Sequence, residues 1–85
     1  LSFVYIKLGA IMLLSNLEIN QEAQIKQINC GDELKQRFYS FGLIKGATII
    51  VDEISLARNT MAVNIDSTEI ALRIEEAKQI EVEVL

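Results

Sequence analysis

Short runs in which apolar and polar residues alternate dominate the second half of the chain and constrain its fold more than any other feature. Side chains on a β-strand point alternately to its two faces, so a two-residue period predicts half-buried strands. The pattern covers Thr60 to Ile65, Thr68 to Leu72 and Ile80 to Val84. The first two runs are separated by Asp66-Ser67, a pair typical of a tight turn, and predict a hairpin. The residues predicted to face inward are Met61, Val63, Ile65, Ile70, Leu72, Ile80, Val82 and Val84.

Two further strands are predicted before the hairpin. Thr48 to Ile54 is rich in β-branched residues, and its three consecutive apolar residues predict a central strand with both faces at least partly covered. Ala23 to Ile28 also alternates, but it loses its phase near the end. Residues 74 to 79 predict one helical turn at most, with Ala77 inward. Five short strands in 85 residues cannot bury two sheets deeply, so the sequence predicts one small, strongly bent barrel.

One helix is predicted after the first of these strands, over Glu33 to Phe41. Asp32 is predicted as its N-cap, and Glu33 places negative charge in the first turn, where the helix dipole favours it. Leu34, Phe38 and Phe41 recur at helical spacing and predict one apolar face.

The residues after this helix predict how it ends. Gly42 suits the left-handed position that follows a helix, and Leu43 would then pack back on Phe38 in a Schellman motif. Gly46 can supply the positive φ at the third position of a type II turn over Ile44 to Ala47.

Composition narrows the function classes. With 8 basic and 12 acidic residues the net charge is -4, and the chain lacks the basic stripe that nucleic-acid binding needs. Histidine, the commonest general base near neutral pH and the commonest transition-metal ligand, is absent. The neighbouring acids Asp52 and Glu53 point to opposite faces of a regular strand and predict a solvated surface. The sequence therefore predicts no catalytic residues, no metal site, no cofactor and no nucleic-acid partner.

The single cysteine indicates in which cellular compartment the chain is expected to fold. Cys30 cannot form a disulfide within the chain, which fits a reducing cytoplasm. It is predicted to be a small buried apolar residue rather than a reactive thiol.

The first residues of the chain differ from the rest. Leu1 to Leu14 is apolar but too short for a bilayer span and lacks the features of a secretory signal. Residues 1–11 are predicted to be a non-native or upstream extension, with Met12 as the native start and 12–85 as a single domain. The alternative is that the extension is an extra strand or an oligomer contact.

Self-association is predicted from the edges of so small a barrel. Glu81 to Leu85 is predicted as an edge strand, with the charges of Glu81 and Glu83 discouraging pairing with its own copy. Residues 1–11 could add a strand to a neighbour. The prediction is a monomer for the chain starting at Met12 and weak oligomers when residues 1–11 are attached, which light scattering of the two chains distinguishes.

The middle of the chain resembles the family of small ferrous-iron transport proteins A (FeoA). In Arg37 to Val51, an Arg-ended helix runs into a Gly-Leu turn, a second glycine and an apolar strand. A second block, Ile70 to Ala77 followed by Ile80 to Val82, is similar to that family's closing segment. Together with Leu14 to Ile28, the resemblance spans nearly all of residues 12–85.

The resemblance implies an SH3-like β-barrel in the bacterial cytoplasm and no enzyme. It also implies a non-enzymatic accessory of ferrous-iron uptake that docks on the cytoplasmic part of a FeoB-type GTPase permease at the inner membrane, modulates transport and does not insert into the bilayer. Similar modules occur at the C-terminus of metal-dependent repressors, so the alternative is a ligand- or metal-sensing regulatory module.

Docking residues are expected to be exposed although apolar, since the core takes the inward set. Tyr39 lies off the apolar face of the helix, and Ile44 and Lys45 occupy the tip between two glycines, which predicts one partner-binding patch. Leu56 stands beside Arg58 in a loop where polar residues are expected, which predicts a second. The alternative is that Leu56 covers the end of the barrel and Tyr39 packs on its own helix.

Arg37 is assigned a structural role in this prediction. Its aliphatic stem is expected to pack at the end of the helix, with the guanidinium group reaching carbonyl oxygens or an acid.

Overall fold

The alternating runs of the sequence become strands of one antiparallel sheet in the computed structural model, which describes residues 9 to 85. The strands are β1 (Ile11–Leu13), β2 (Glu22–Ile28), β3 (Thr48–Ile54), β4 (Thr60–Ile65), β5 (Thr68–Arg73) and β6 (Ile80–Val84). Their order across the sheet is β1-β6-β2-β3-β4-β5. A 3₁₀ turn over Leu14–Asn16 follows β1, helix α1 (Asp32–Ser40) joins β2 to β3, and the short helix α2 (Ile74–Ala77) joins β5 to β6. The predicted mainly β class with one main helix is confirmed.

One hydrophobic core lies against this sheet, and β2 to β6 all contribute alternate residues to it. Every residue predicted to face inward is buried. Phe38 from α1, Ala77 from α2 and three leucines outside the strands, Leu14, Leu17 and Leu43, also belong to the core. Irregularities interrupt the register of β2 between Ile25 and Gln27 and of β3 after Val51, and such bulges increase the bend of a strand. The loss of alternation predicted near the end of Ala23 to Ile28 therefore corresponds to a local shift in the pairing register of β2.

The end of α1 is the predicted Schellman motif. Gly42 has a φ of 89°, and its N–H donates to the carbonyl of Tyr39 at 3.0 Å. The N–H of Leu43 donates to the carbonyl of Phe38 at 2.9 Å, and both side chains are fully buried. The following turn is closed by the Ala47 N–H on the Ile44 carbonyl, as predicted.

Two details of the α1 prediction are wrong. Gly31 takes the N-cap position and Asp32 is the first residue of the helix, so the acid lies in the first turn rather than before it. Phe41 is the C-cap residue and is 45% exposed rather than part of the apolar face. The reason is that the chain reverses at Gly42, and Leu43 takes the place in the core that a longer helix would give to Phe41.

The prediction that the last strand lies at an edge of the sheet is also wrong. β6 pairs with β2 on one side and with β1 on the other, with Ile11 opposite Glu83 and Leu13 opposite Glu81. A strand of three residues has too short a pattern to be recognised, which is why five strands were predicted rather than six. Glu83 forms an ion pair with Lys26 at 3.1 Å, so it contributes a contact within the sheet.

The chain before β1 continues beside β6. The Gly9 N–H donates to the Val84 carbonyl at 2.7 Å, and the Val84 N–H donates to the Ala10 carbonyl at 3.0 Å. Residues 1–8 lie outside the described residues, so the origin of residues 1–11 and their role in self-association stay predictions.

Candidate docking surfaces

The loop between β3 and β4 holds an apolar side chain in water. Leu56 has a relative exposure of 105%, so it does not cover the end of the barrel. The hydroxyl of Ser55 accepts the backbone N–H groups of Asn59 and Thr60, both at 3.2 Å, and the Arg58 N–H donates to the Ser55 carbonyl at 2.8 Å. Leu56 is therefore exposed on a loop whose backbone is fixed by hydrogen bonds.

A cationic depression of about 390 Å³ lies next to this loop, and we call it the arginine depression. Its lining residues are Arg58, Asn59, Thr60, Arg73, Ile74, Glu75 and Lys78. Three cations and one acid make it locally positive on a chain of net charge -4. Arg58 has a φ of 55°, a left-handed conformation that non-glycine residues adopt at some cost, so the loop is held in one specific shape.

Glu76 connects α1 to this region. One of its carboxylate oxygens accepts the backbone N–H of Arg73 at 3.1 Å, and the other accepts a hydrogen bond from the guanidinium of Arg37. The predicted contact of the Arg37 guanidinium with an acid is thus confirmed, and that acid is Glu76. Because the same carboxylate accepts the backbone N–H of Arg73, it fixes the start of α2, where Arg73 and Ile74 line the arginine depression.

The second predicted patch lies at the end of α1. Tyr39 is 49% exposed and Ile44 is 48% exposed. Lys45, the residue after Ile44, is also exposed. The turn that carries Ile44 and Lys45 is attached to β2, since the Gly46 N–H donates to the Ile25 carbonyl at 2.7 Å.

Tyr39 and Lys45 line a depression of about 400 Å³ that we call the lysine groove. Its lining residues are Lys26, Gln27, Ile28, Lys35, Tyr39 and Lys45. Three lysines and no acid line this groove. Lys26 is partly neutralised by Glu83, whereas the described residues place no carboxylate within 4.0 Å of the Lys35 or Lys45 ammonium.

The structure brings some of the predicted docking residues together and separates others. Tyr39 and Lys45 share the lysine groove, Arg58 lines the arginine depression, and the two sites have no lining residue in common. Ile44 and Leu56 line neither site, although each is adjacent or close in sequence to one that does. The cations that sequence reasoning missed are Lys26, Lys35, Arg73 and Lys78. They come from distant parts of the chain, and the pattern of charges along the sequence contains no signal that groups them.

The structure adds no catalytic or metal-binding site at the other residues considered from the sequence. Cys30 is half-buried and packs against the core rather than being fully buried. Asp52 falls in the irregularity of β3, and both Asp52 and Glu53 are exposed. Among residues 9–85 no three or more His, Cys, Asp or Glu side chains are grouped so as to hold a metal ion. In the same part of the chain, no helix has the length and apolar character needed to cross a membrane.

Comparison with known proteins identifies the family. The sequence model of the FeoA domain matches residues 12–84. An Fe(2+) transport protein A of Campylobacter jejuni is 39% identical over 74 residues, which cover 87% of this chain and 100% of that protein.

Solved structures agree with this match. FeoA of Stenotrophomonas maltophilia, a prokaryotic SH3 domain protein in complex with zinc, has a TM-score of 0.74 and 26% identity over 85% of this chain and 89% of that one. A manganese-dependent transcriptional repressor has a TM-score of 0.82 over 94% of this chain and 45% of its own, but at 18% identity it shares the fold alone. The six-stranded sheet is therefore an SH3-like fold, and the chain belongs to the FeoA family.

Proposed function

We propose that this chain is a non-enzymatic accessory of bacterial ferrous-iron uptake that docks in the cytoplasm on a FeoB-type GTPase permease and modulates transport. The observation that carries the proposal is Leu56, a fully exposed leucine on a fixed loop in a chain of the FeoA family. An apolar side chain held in water by an ordered backbone is suited to a pocket on a partner, because little conformational entropy is lost on binding.

Arg58 and the rest of the arginine depression supply the polar part of this contact. Arginine is enriched at interface hot spots, and its guanidinium group binds carboxylates through two parallel hydrogen bonds. We therefore assign Leu56 and Arg58 to the permease contact. Tyr39, Ile44 and Lys45 form a separate surface on the same accessory.

Binding of the full chain to the purified cytoplasmic domain of the FeoB-type permease of the same organism tests the proposal. We expect saturable binding that weakens with salt, because exposed charges contribute to the contact. A permease domain that does not bind the chain at any accessible concentration contradicts the proposal.

The accessory is proposed to act without holding iron tightly itself. Ferrous iron favours imidazole, thiolate and mixed histidine and carboxylate sites, and the sequence contains no histidine and one cysteine. Titration of the metal-free protein with Fe(II) is expected to show no stoichiometric site. A site of micromolar or tighter affinity would overturn this part of the proposal.

A regulatory module is the second candidate, and its support is the likeness in fold to a manganese-dependent transcriptional repressor. Since that likeness is one of fold alone, it does not favour regulation over transport. The neighbouring genes discriminate the two cheaply. A permease gene beside this one supports the accessory, whereas an isolated gene near a DNA-binding protein supports the regulator.

A further inference from the structure

The cations of this acidic chain are segregated into two surfaces. Of its eight lysines and arginines, Lys7 lies outside the described residues and Arg37 is bound to Glu76. The remaining six divide equally, with three in the lysine groove and three in the arginine depression, and of these Lys26 forms an ion pair with Glu83. At physiological salt, a charge is screened beyond about 8 to 10 Å, so a flat partner responds to the nearest charges rather than to the net charge of the chain.

The two surfaces differ in the kind of cation they present. Arginine forms a planar fork that matches single carboxylates, whereas the lysine ammonium is a compact point charge on a flexible stem. All three cations of the lysine groove are lysines, whereas the arginine depression has two arginines and one lysine. The three lysines of the groove, Lys26, Lys35 and Lys45, come from β2, α1 and the turn before β3. Mobile point charges spread over one face suit a surface of many interchangeable phosphates better than one positioned carboxylate.

Half-exposed apolar side chains accompany these lysines. Tyr39 lines the groove itself, Ile44 precedes Lys45, and each of the two apolar side chains leaves about half of its surface in water. Tyrosine is enriched where membranes meet water, because its ring is apolar and its hydroxyl is polar. Lysines beside an amphipathic aromatic residue are the combination found on proteins that lie on anionic bilayers.

We propose that the lysine groove, together with Tyr39 and Ile44, binds the surface of an anionic phospholipid bilayer. The contact is adsorption at the headgroups, with no segment crossing the membrane. It does not depend on docking to a permease, since the lysine groove shares no lining residue with the arginine depression and is not lined by Leu56. Each lysine near an anionic membrane contributes about 1 kcal/mol, which is roughly fivefold in affinity, so the association is weak, reversible and sensitive to salt.

Sedimentation with lipid vesicles tests this proposal on the full chain. The unaltered protein is expected to sediment with vesicles that contain phosphatidylglycerol and to stay in solution with vesicles of phosphatidylcholine alone. The double variant Lys35→Gln/Lys45→Gln is expected to lose roughly 25-fold in lipid affinity, the product of two fivefold losses. All variants retain residues 1–8, so any contribution of that segment cancels in the comparison.

The matched control is Arg58→Gln/Arg73→Gln, which removes the same charge from the arginine depression. Its affinity for the anionic vesicles is expected to change less than twofold. An equal loss in both double variants would show a response to net charge and overturn the proposal. Failure to bind anionic vesicles, or binding of an acidic peptide at the groove in their place, would also overturn it. All four positions are at least partly exposed, so both double variants are expected to keep the fold. Circular dichroism melting of each variant checks this.

Discussion

The lysine groove and the arginine depression have similar charges but are built on different supports. The arginine depression lies on the β4–β5 hairpin and α2, where the Ile74 N–H donates to the Asn59 carbonyl at 3.0 Å and Arg73 is paired with Thr60 across the hairpin. The lysine groove includes two residues of α1, and the only fully buried side chain of that helix is Phe38. The arginine depression thus lies on a hydrogen-bonded hairpin and the short helix after it, whereas the lysine groove spans β2 and α1, and its α1 side depends on how the aromatic ring of Phe38 packs.

The largest expected effect comes from removing that ring. Phe38→Ala is expected to lower the free energy of unfolding by about 3 to 5 kcal/mol, because it leaves a cavity where a fully buried aromatic side chain packed. Urea denaturation measures the loss. The matched control Phe41→Ala changes a ring that is 45% exposed and is expected to lose less than about 1 kcal/mol. Equal losses in the two variants would contradict the assignment of Phe38 as the anchor of α1.

The next effect tests the link between the two regions. Glu76→Ala removes the acceptor of both the Arg37 guanidinium and the Arg73 N–H, and we expect a loss of about 1 to 2 kcal/mol in the free energy of unfolding. Its exposed neighbour provides the control, since Glu75→Ala is expected to change stability by less than about 0.5 kcal/mol. Thermal denaturation of both variants at the same pH compares them. A Glu76 variant as stable as the Glu75 variant would show that the two helices are held independently.

A smaller effect is expected where α1 ends. Gly42 has a φ of 89°, so Gly42→Ala places a Cβ in a left-handed conformation and is expected to lower stability by about 1 kcal/mol. Amide hydrogen exchange is expected to show lost protection at Leu43 and the end of α1, with the β4–β5 hairpin unchanged. Faster exchange spread equally over both regions would contradict the view that the two surfaces have separate supports.

Local features of the fold could be predicted, and features that depend on distant residues could not. The end of α1 could be predicted from Gly42 and Leu43, because the Schellman motif involves only residues that are close in the sequence. The Asp66-Ser67 turn was predicted for the same reason, and both residues have the positive φ of a two-residue hairpin turn. By contrast, the position of β6 between β1 and β2 depends on a three-residue strand at the opposite end of the chain.

The residues of the candidate sites also fall into those that local sequence identifies and those that only the fold brings together. Tyr39, Leu56 and Arg58 could be singled out because each departs from what its local context favours. Lys26 and Lys35 were not singled out, because they are far apart in the sequence and only folding places them in one groove with Lys45. A net charge of -4 sums over the whole chain and therefore does not reveal a groove that is lined by three lysines and no acid.

Replacing Leu56 tests the central claim most directly, with binding to the purified cytoplasmic domain of the FeoB-type permease as the measurement. Leu56→Ser is expected to weaken binding about tenfold, because it removes an apolar anchor from the interface, and to change stability by less than about 1 kcal/mol. The matched control is Ile19→Ser, which alters another exposed apolar side chain (49% exposed) that lines neither depression. The account predicts that only the Leu56 variant loses affinity. Unchanged binding of the Leu56 variant, or the same loss in both variants, would contradict it.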